Sequence, residues 1–310
     1  MRLFNSHKDS RVVNPFFKLT LVLVSLVIAG VVLAVFLGRL RPASLVAYEG
    51  YRWTRRDVYL FDMVSSIHLN LTDSDVDDFG PLWNANGSRL TFHSFLNSFR
   101  ESITALELGT FTISTLSGDN ARDDLIARAD WAAGGQDHAF MLGYGQMWIS
   151  RRDSQPAPVG YGFSPSLSPN GHYVLYYADS PGALNAELYL YEINGKRVFN
   201  LSQNRAHDWS PAWSPDGTQV AFLSTRDGNA EIYALDVACA FDRTCNEDAR
   251  RLTYSRESEL NPTWSPDGRE VLYVRDTGPT NQLFVLDVAS GAARQLTSGS
   301  LNRRAPVWKP

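Results

Sequence analysis

The 310-residue sequence predicts an all-β fold: a six-bladed β-propeller of four-stranded antiparallel blades, preceded by one N-terminal transmembrane helix. Three observations predict the ring. Pro211-Ala212-Trp213-Ser214-Pro215-Asp216-Gly217 returns as Pro262-Thr263-Trp264-Ser265-Pro266-Asp267-Gly268. Each copy is followed by the same series of a short apolar strand, a polar turn, a strand with an acidic end and a closing Leu-Thr. The chain opens on strands that lack a first strand and closes on a first strand with nothing after it.

Taken in order, residues 1–18 form a short tail carrying Arg2, Lys8, Arg11 and Lys18. Residues 19–38 carry no charge over 20 positions, and as a helix they span about 30 Å, one hydrocarbon core. A cleaved secretory signal has a shorter apolar region, so the run reads as an uncleaved anchor. Only Arg39 and Arg41 follow it in the linker 39–44, and the bias in basic residues predicts a cytoplasmic N-terminus and an extracytoplasmic domain over 45–310.

Leu45-Val46-Ala47-Tyr48-Glu49, Asp57-Val58-Tyr59-Leu60-Phe61-Asp62 and Asn70-Leu71-Thr72 match the second, third and fourth strands of the strong copies. Anchors then follow at Trp83, Trp131, Leu167, Trp213, Trp264 and Trp308, 36 to 51 residues apart, the length of a four-stranded blade. The terminal strand 305–310 supplies what the first strands lack, so the two ends are expected to share the sixth blade and leave no open sheet edge. Within the motif, Pro presets a turn, Asp-Gly or Asn-Gly reverses the chain with positive φ, and the Trp packs between neighbouring blades. Asp216 and Asp267 are thereby read as structural.

Cys239 and Cys245 stand six positions apart in an insertion between the third and fourth strands of one blade, and the chain holds no other cysteine. They read as a disulfide closing that loop in an oxidising compartment.

The motif together with Val220-Ala221-Phe222-Leu223-Ser224 and Glu231-Ile232-Tyr233-Ala234-Leu235-Asp236 resembles the WD40-like (PD40) repeat of TolB-type six-bladed propellers. The resemblance covers about residues 45–310. It implies a protein-binding module of the bacterial cell envelope. The α/β domain that precedes the propeller in TolB is not expected here and a membrane anchor is, so the resemblance carries the fold and the mode of binding only.

A net charge of −4 without a basic patch argues against nucleic acid as a partner. No metal or cofactor is expected. The sequence contains no Gly-x-Ser-x-Gly, and Gly162-Phe163-Ser164-Pro165-Ser166 fails at its last position. Asp73, Asp75, Asp77 and Asp78 lack the Gly and distal Glu of a calcium loop and read as a solvated turn.

The candidate site comes from the repeat. Five residues before the anchors stand Asp78, Ile126, Gly162, Asp208, Glu259 and Arg303, in loops expected to line one mouth of the central channel. Asp78, Asp208 and Glu259, with Arg303 beside them, would make a mostly negative rim for a basic peptide or a cation, and His207 and Trp209 would add polar and aromatic contacts. The plain alternative is that these side chains cap turns. The expected function is a monomeric, non-enzymatic, membrane-tethered propeller that binds protein or peptide. A carbohydrate-binding or carbohydrate-active propeller using the same acids as paired carboxylates is the alternative, and an extracytoplasmic sensor acting through a partner is a third reading.

Overall fold

The computed structural model describes residues 44–310 apart from 53–54, 74, 85, 98–99, 111, 116–129, 132–137, 143–144, 152–154, 180–184, 243–244 and 246–248. The predicted anchor, residues 19–38, lies outside the described residues; among those, no helix is long and apolar enough to cross a membrane. One compact unit spans Pro42–Pro310.

Among the described residues, twenty-four strands form six four-stranded antiparallel sheets. Blade 1 joins both ends of the sequence: β24 (Asn302–Trp308) is innermost, followed by β1 (Leu45–Arg52), β2 (Arg55–Asp62) and β3 (Ile67–Asn70). The expected closure is therefore present, with Val46 opposite Trp308 and Gly50 opposite Arg303. Blade 2 is β4 (Asp78–Trp83), β5 (Arg89–Asn97), β6 (Arg100–Glu107) and β7 (Thr112–Thr115). Blade 3 is β8 (Asp130–Trp131), β9 (His138–Leu142), β10 (Gln146–Ser150) and β11 (Ala157–Tyr161); blade 4 is β12 (Phe163–Leu167), β13 (Tyr173–Asp179), β14 (Ala186–Glu192) and β15 (Arg197–Asn200). Blade 5 is β16 (Asp208–Trp213), β17 (Gln219–Ser224), β18 (Glu231–Asp236) and β19 (Arg250–Arg251); blade 6 is β20 (Glu259–Trp264), β21 (Glu270–Asp276), β22 (Asn281–Asp287) and β23 (Ala293–Gln295). All six anchors sit at the ends of innermost strands.

The apolar core lies between blades. One cluster packs Leu175, Leu188 and Leu190 of blade 4 against Val220, Phe222 and Leu235 of blade 5, and another packs Ala221 and Ile232 of blade 5 against Val271 and Tyr273 of blade 6. This follows from alternation along each strand, which sends successive side chains to the two neighbouring blades. Cross-strand aromatic pairs recur at one register: Tyr48–Tyr59, Tyr176–Tyr189, Phe222–Tyr233 and Tyr273–Phe284, with ring centroids 5.3, 5.5, 5.9 and 5.8 Å apart.

The repeated motif works as a turn and as an inter-blade clasp. Ser214 Oγ donates to Asp216 Oδ1 at 2.6 Å and accepts from the Gln219 N–H at 2.9 Å, while Gly217 takes φ 71°. Ser265, Asp267, Glu270 and Gly268 repeat this arrangement. The indoles of Trp213, Trp264 and Trp308 donate to Ser166, Ala212 and Thr263 carbonyls of the preceding blade, each at 3.2 Å. The closing Leu-Thr or Leu-Ser is also explained. Thr297 Oγ1 accepts the Leu283 N–H at 2.9 Å and donates to Gln282, and Ser202 does the same for Leu188 and Glu187.

Cys239 and Cys245 form the expected disulfide. It closes a short helix, α1 (Cys239–Asp242), whose Phe241 reaches Phe199 of blade 4 with ring centroids 5.3 Å apart.

Candidate functional site

The innermost strands share a departure from regular pairing. Gly80, Ser164, Ser210, Asn261 and Ala305 adopt φ of 63°, 49°, 52°, 49° and 44°, and each precedes a proline: Pro81, Pro165, Pro211, Pro262 and Pro306. A residue before proline ordinarily stays extended, and a non-glycine residue in the left-handed region costs on the order of 1 kcal/mol or more. Proline offers no ladder donor, and the register slips at this point in each of these strands, as between Trp209 and Ala212 or Leu260 and Thr263. The Pro two residues before Trp83, Leu167, Trp213, Trp264 and Trp308 was the available signal of this repeated bulge.

The bulges border the central channel, where a cavity of about 720 Å³ is lined by Ser164, Ser210, Asn261 and Ala305, by the prolines that follow them, and by Trp213, Trp264 and Trp308. Its lining contains no Asp, Glu, Lys, Arg or His among the described residues. Such a wall offers apolar contact and neutral hydrogen bonds, with no acid or base beside a serine.

The residues expected to form an exposed acidic rim require a correction. Asp78, Asp208 and Glu259 do not sit in loops; they open β4, β16 and β20, at 2%, 0% and 0% exposure. Asp208 meets Arg226 at 3.2 Å and also accepts from Asn204. Glu259 meets Arg275 at 2.8 Å and accepts from Ser255 at 3.0 Å. Asp78 accepts from Ser94. A charge at the first position of an inner strand faces a neighbouring blade, where burial requires a partner, so the acids turn inward to arginines or hydroxyls. Burial pushes the Asp208 carboxyl up, against the pull of Ser224 and Arg226, and pushes Glu259 up against the pull of Arg275. The carbohydrate-active alternative needs two carboxylates facing one bond; Asp208 and Glu259 are each sealed against an arginine of their own blade.

Arg303 is buried as well, donating to Gln282 Oε1 at 2.6 Å and to the Leu301 carbonyl at 2.8 Å. His207 is exposed and accepts the Ala186 N–H at 3.2 Å. Trp209 is half-buried against the core shared by blades 5 and 6. Gly162 is buried, and Ile126 lies outside the described residues. In the Asp73–Asp78 turn, Asp75 meets Arg55 at 2.8 Å and Asp77 meets Arg56 at 3.1 Å.

One position further along the inner strands stand Phe79, Phe163, Trp209, Leu260 and Arg304, all half-buried or exposed. Trp209 and Leu260 pack against the cores between blades, and none of the five lines the cavity.

A family model described as the TolB beta propeller domain matches residues 146–310, more than half of the chain. The chain belongs to the TolB β-propeller domain family. Among relatives of this family, the Tol-Pal system protein TolB of Anaeromyxobacter dehalogenans is 28% identical over 147 residues, covering 44% of this chain and 32% of that protein. The match thus spans about a third of the relative's length. The crystal structure of TolB from Acinetobacter baumannii superposes with a TM-score of 0.71 at 19% identity, covering 86% of this chain and 67% of that one. Puromycin hydrolase superposes with a TM-score of 0.54 at 14% identity, covering 84% of this chain and 44% of that enzyme. At these identities the likeness is one of fold, and the ring alone does not separate binding from catalysis.

Proposed function

We propose that this chain is a non-enzymatic binding module, tethered by residues 19–38 to the extracytoplasmic face of a bacterial membrane, that takes a protein or peptide segment at the mouth of its channel. One observation carries the reading: a cavity of about 720 Å³ is walled by proline, serine and tryptophan of five inner strands, without a charged side chain among the described residues that line it. That chemistry suits an extended segment, which presents apolar side chains and backbone amides together. Membership of the TolB propeller family supports a protein as the ligand. The Cys239–Cys245 disulfide supports an oxidising compartment, and the basic residues before position 19 support the orientation. The linker 39–44 would hold the propeller within about 20 Å of the bilayer at full extension, suiting a partner in the same membrane or the adjacent wall.

The test is capture from detergent-solubilised membranes with the full chain, beside the variants Val307→Arg and Thr263→Arg, which place a charged side chain in the cavity, after circular dichroism shows that both fold. A protein retained by the native chain and lost by both variants supports the reading. Equal retention moves the site elsewhere, and turnover of a peptide or glycan panel by the chain alone contradicts it.

A further inference from the structure

Resting on the tethered reading above, we propose that one face of the propeller lies on the lipid surface, with Val64 and Phe241 seated in the headgroup layer. Strand pairing defines that face. β1 starts where β24 ends, since Val46 pairs with Trp308, and Leu45 pairs with Asp62 at the end of β2. Antiparallel alternation therefore puts the chain entry at Ser44, the Ser-Pro-Asp-Gly turns and the turns from third to fourth strands on one side of the ring. Ser44 is fixed to this side. Its hydroxyl donates to Asp62 Oδ1 at 2.5 Å and its carbonyl accepts the Met63 N–H at 3.1 Å, so the linker leaves the domain beside the β2–β3 turn. That turn exposes Val64 at 56%, where the matching positions of blades 4, 5 and 6 carry Asn194, Ala238 and Ala289. Only residues 39–43 are left to span the gap, roughly 17 Å at full extension.

The apolar contacts are distributed around the ring. Of the large apolar side chains exposed among the described residues, Val64, Ile113, Val198 and Phe241 lie in or beside these turns. They belong to blades 1, 2 and 4 and to the insertion after β18 of blade 5, so they surround the axis and set a plane. Tyr161, Phe163 and Tyr254 lie on the opposite face, where inner strands begin. Phe241 is held in place, because the Cys239–Cys245 disulfide closes its helix and its ring rests on Tyr173 and Phe199 with centroids 6.1 and 5.3 Å apart. Charge on this face cancels. Arg89–Glu107, Arg197–Glu192, Arg269–Asp267 and Arg294–Glu270 are paired. Among the other described side chains there, Arg151, Lys196, Arg250 and Lys309 stand against Asp62, Asp216, Asp236 and Asp287. With neither sign in excess, the matching surface is the apolar boundary of a bilayer rather than an anionic headgroup cluster. A few apolar residues bind lipid weakly alone, but a short tether supplies an effective concentration of about millimolar, at which a weak contact is occupied. The cavity lining reaches the same side at Pro169, Pro215 and Pro266, so a segment entering there would come from the membrane.

The test uses the full chain reconstituted into phosphatidylcholine vesicles containing a lipid with a nitroxide quencher at its headgroup. A fluorescent amino acid is placed singly at position 64, 241, 161, 254 or 289, and carbonate extraction scores the tether in parallel. Quenching is expected at 64, 241 and 289 and not at 161 or 254, and it should persist at high salt. Val64→Asp with Phe241→Asp should abolish quenching at 289 while the chain still resists carbonate. Quenching at 161 and 254, equal quenching on both faces, no quenching at any position, loss of quenching at high salt, or a double variant still quenched at 289 would each overturn the proposal. If the chain resists carbonate while both faces are quenched alike, the tether stands and the docked face falls. If carbonate releases the chain, the tether and the docked face fall together.

Discussion

The indole Nε1 of Trp264 donates to the carbonyl of Ala212, 3.2 Å away in the preceding blade. The same bond joins Trp213 to Ser166 and Trp308 to Thr263, so a residue marking the start of each blade motif ties that blade to the one before it. The junction from blade 1 to blade 2 is made differently: the Trp83 Nε1 is buried with no partner, and Glu49 bonds to Gly80 across that seam.

The two kinds of junction should be separable by substitution. Trp264→Phe loses a buried hydrogen bond and leaves the Ala212 carbonyl unmade, whereas Trp83→Phe removes a donor that has no partner. Trp264→Phe should therefore destabilise by about 1 kcal/mol more than Trp83→Phe in urea unfolding. Equal costs would remove the hydrogen bond from the account.

The buried pair Glu259–Arg275 should be strongly asymmetric. Arg275→Ala strands a carboxylate that has no exposure and should cost roughly 3–5 kcal/mol, while Arg275→Met with Glu259→Leu should recover most of that. Burial raises the Glu259 pKa above its ordinary value. Its contribution is then fully present below the ordinary carboxylate range and is lost as pH rises through the raised value. Unfolding curves should show the native chain losing stability relative to Glu259→Gln as pH rises from about 4 toward 7.

Asp216 behaves in the opposite sense. The Ser214 hydroxyl and the Thr218 N–H hold its carboxyl below the usual range. Stability from this group is present above the ordinary aspartate pKa of about 3.9 and is lost as pH falls through the depressed value. Ser214→Ala should cost about 1 kcal/mol at pH 7 and flatten the acid limb of the stability profile. An unchanged profile would show that the turn does not depend on this carboxylate.

Cys239→Ser with Cys245→Ser opens a loop of six residues. Chain-entropy arguments put the loss at about 2 kcal/mol, and α1 should loosen so that Phe241 leaves Phe199. Differential scanning calorimetry with and without reductant measures it: the native chain should lose stability on reduction and the double variant should not.

The ring was legible in the sequence because the propeller repeats a local device. Trp213 and Trp264 stand in near-identical heptapeptides, and the complementary chain ends already implied a shared blade, which the structure closes by pairing β1 with β24. The acids five residues before three anchors were read as a loop rim facing solvent, whereas Asp78, Asp208 and Glu259 open inner strands and are buried. A carboxylate at Asp208 or Glu259 looks like a surface charge until its partners are known, and Arg226 and Arg275 lie 18 and 16 residues away in sequence, joined only by strand pairing. The cavity wall was missed for a different reason. Its shape depends on left-handed backbone at Ser164, Ser210, Asn261 and Ala305, which the residue before a proline does not ordinarily adopt.

The most direct test of the central claim, a protein-binding channel mouth, is site-specific photo-crosslinking in intact cells. A photoreactive residue would be placed at Thr263 or Val307, which line the cavity, and at Val198, exposed on an outer strand. The account predicts one discrete protein adduct from positions 263 and 307 and none from 198. Adducts from 198 alone, or the same adducts from all three, would contradict it.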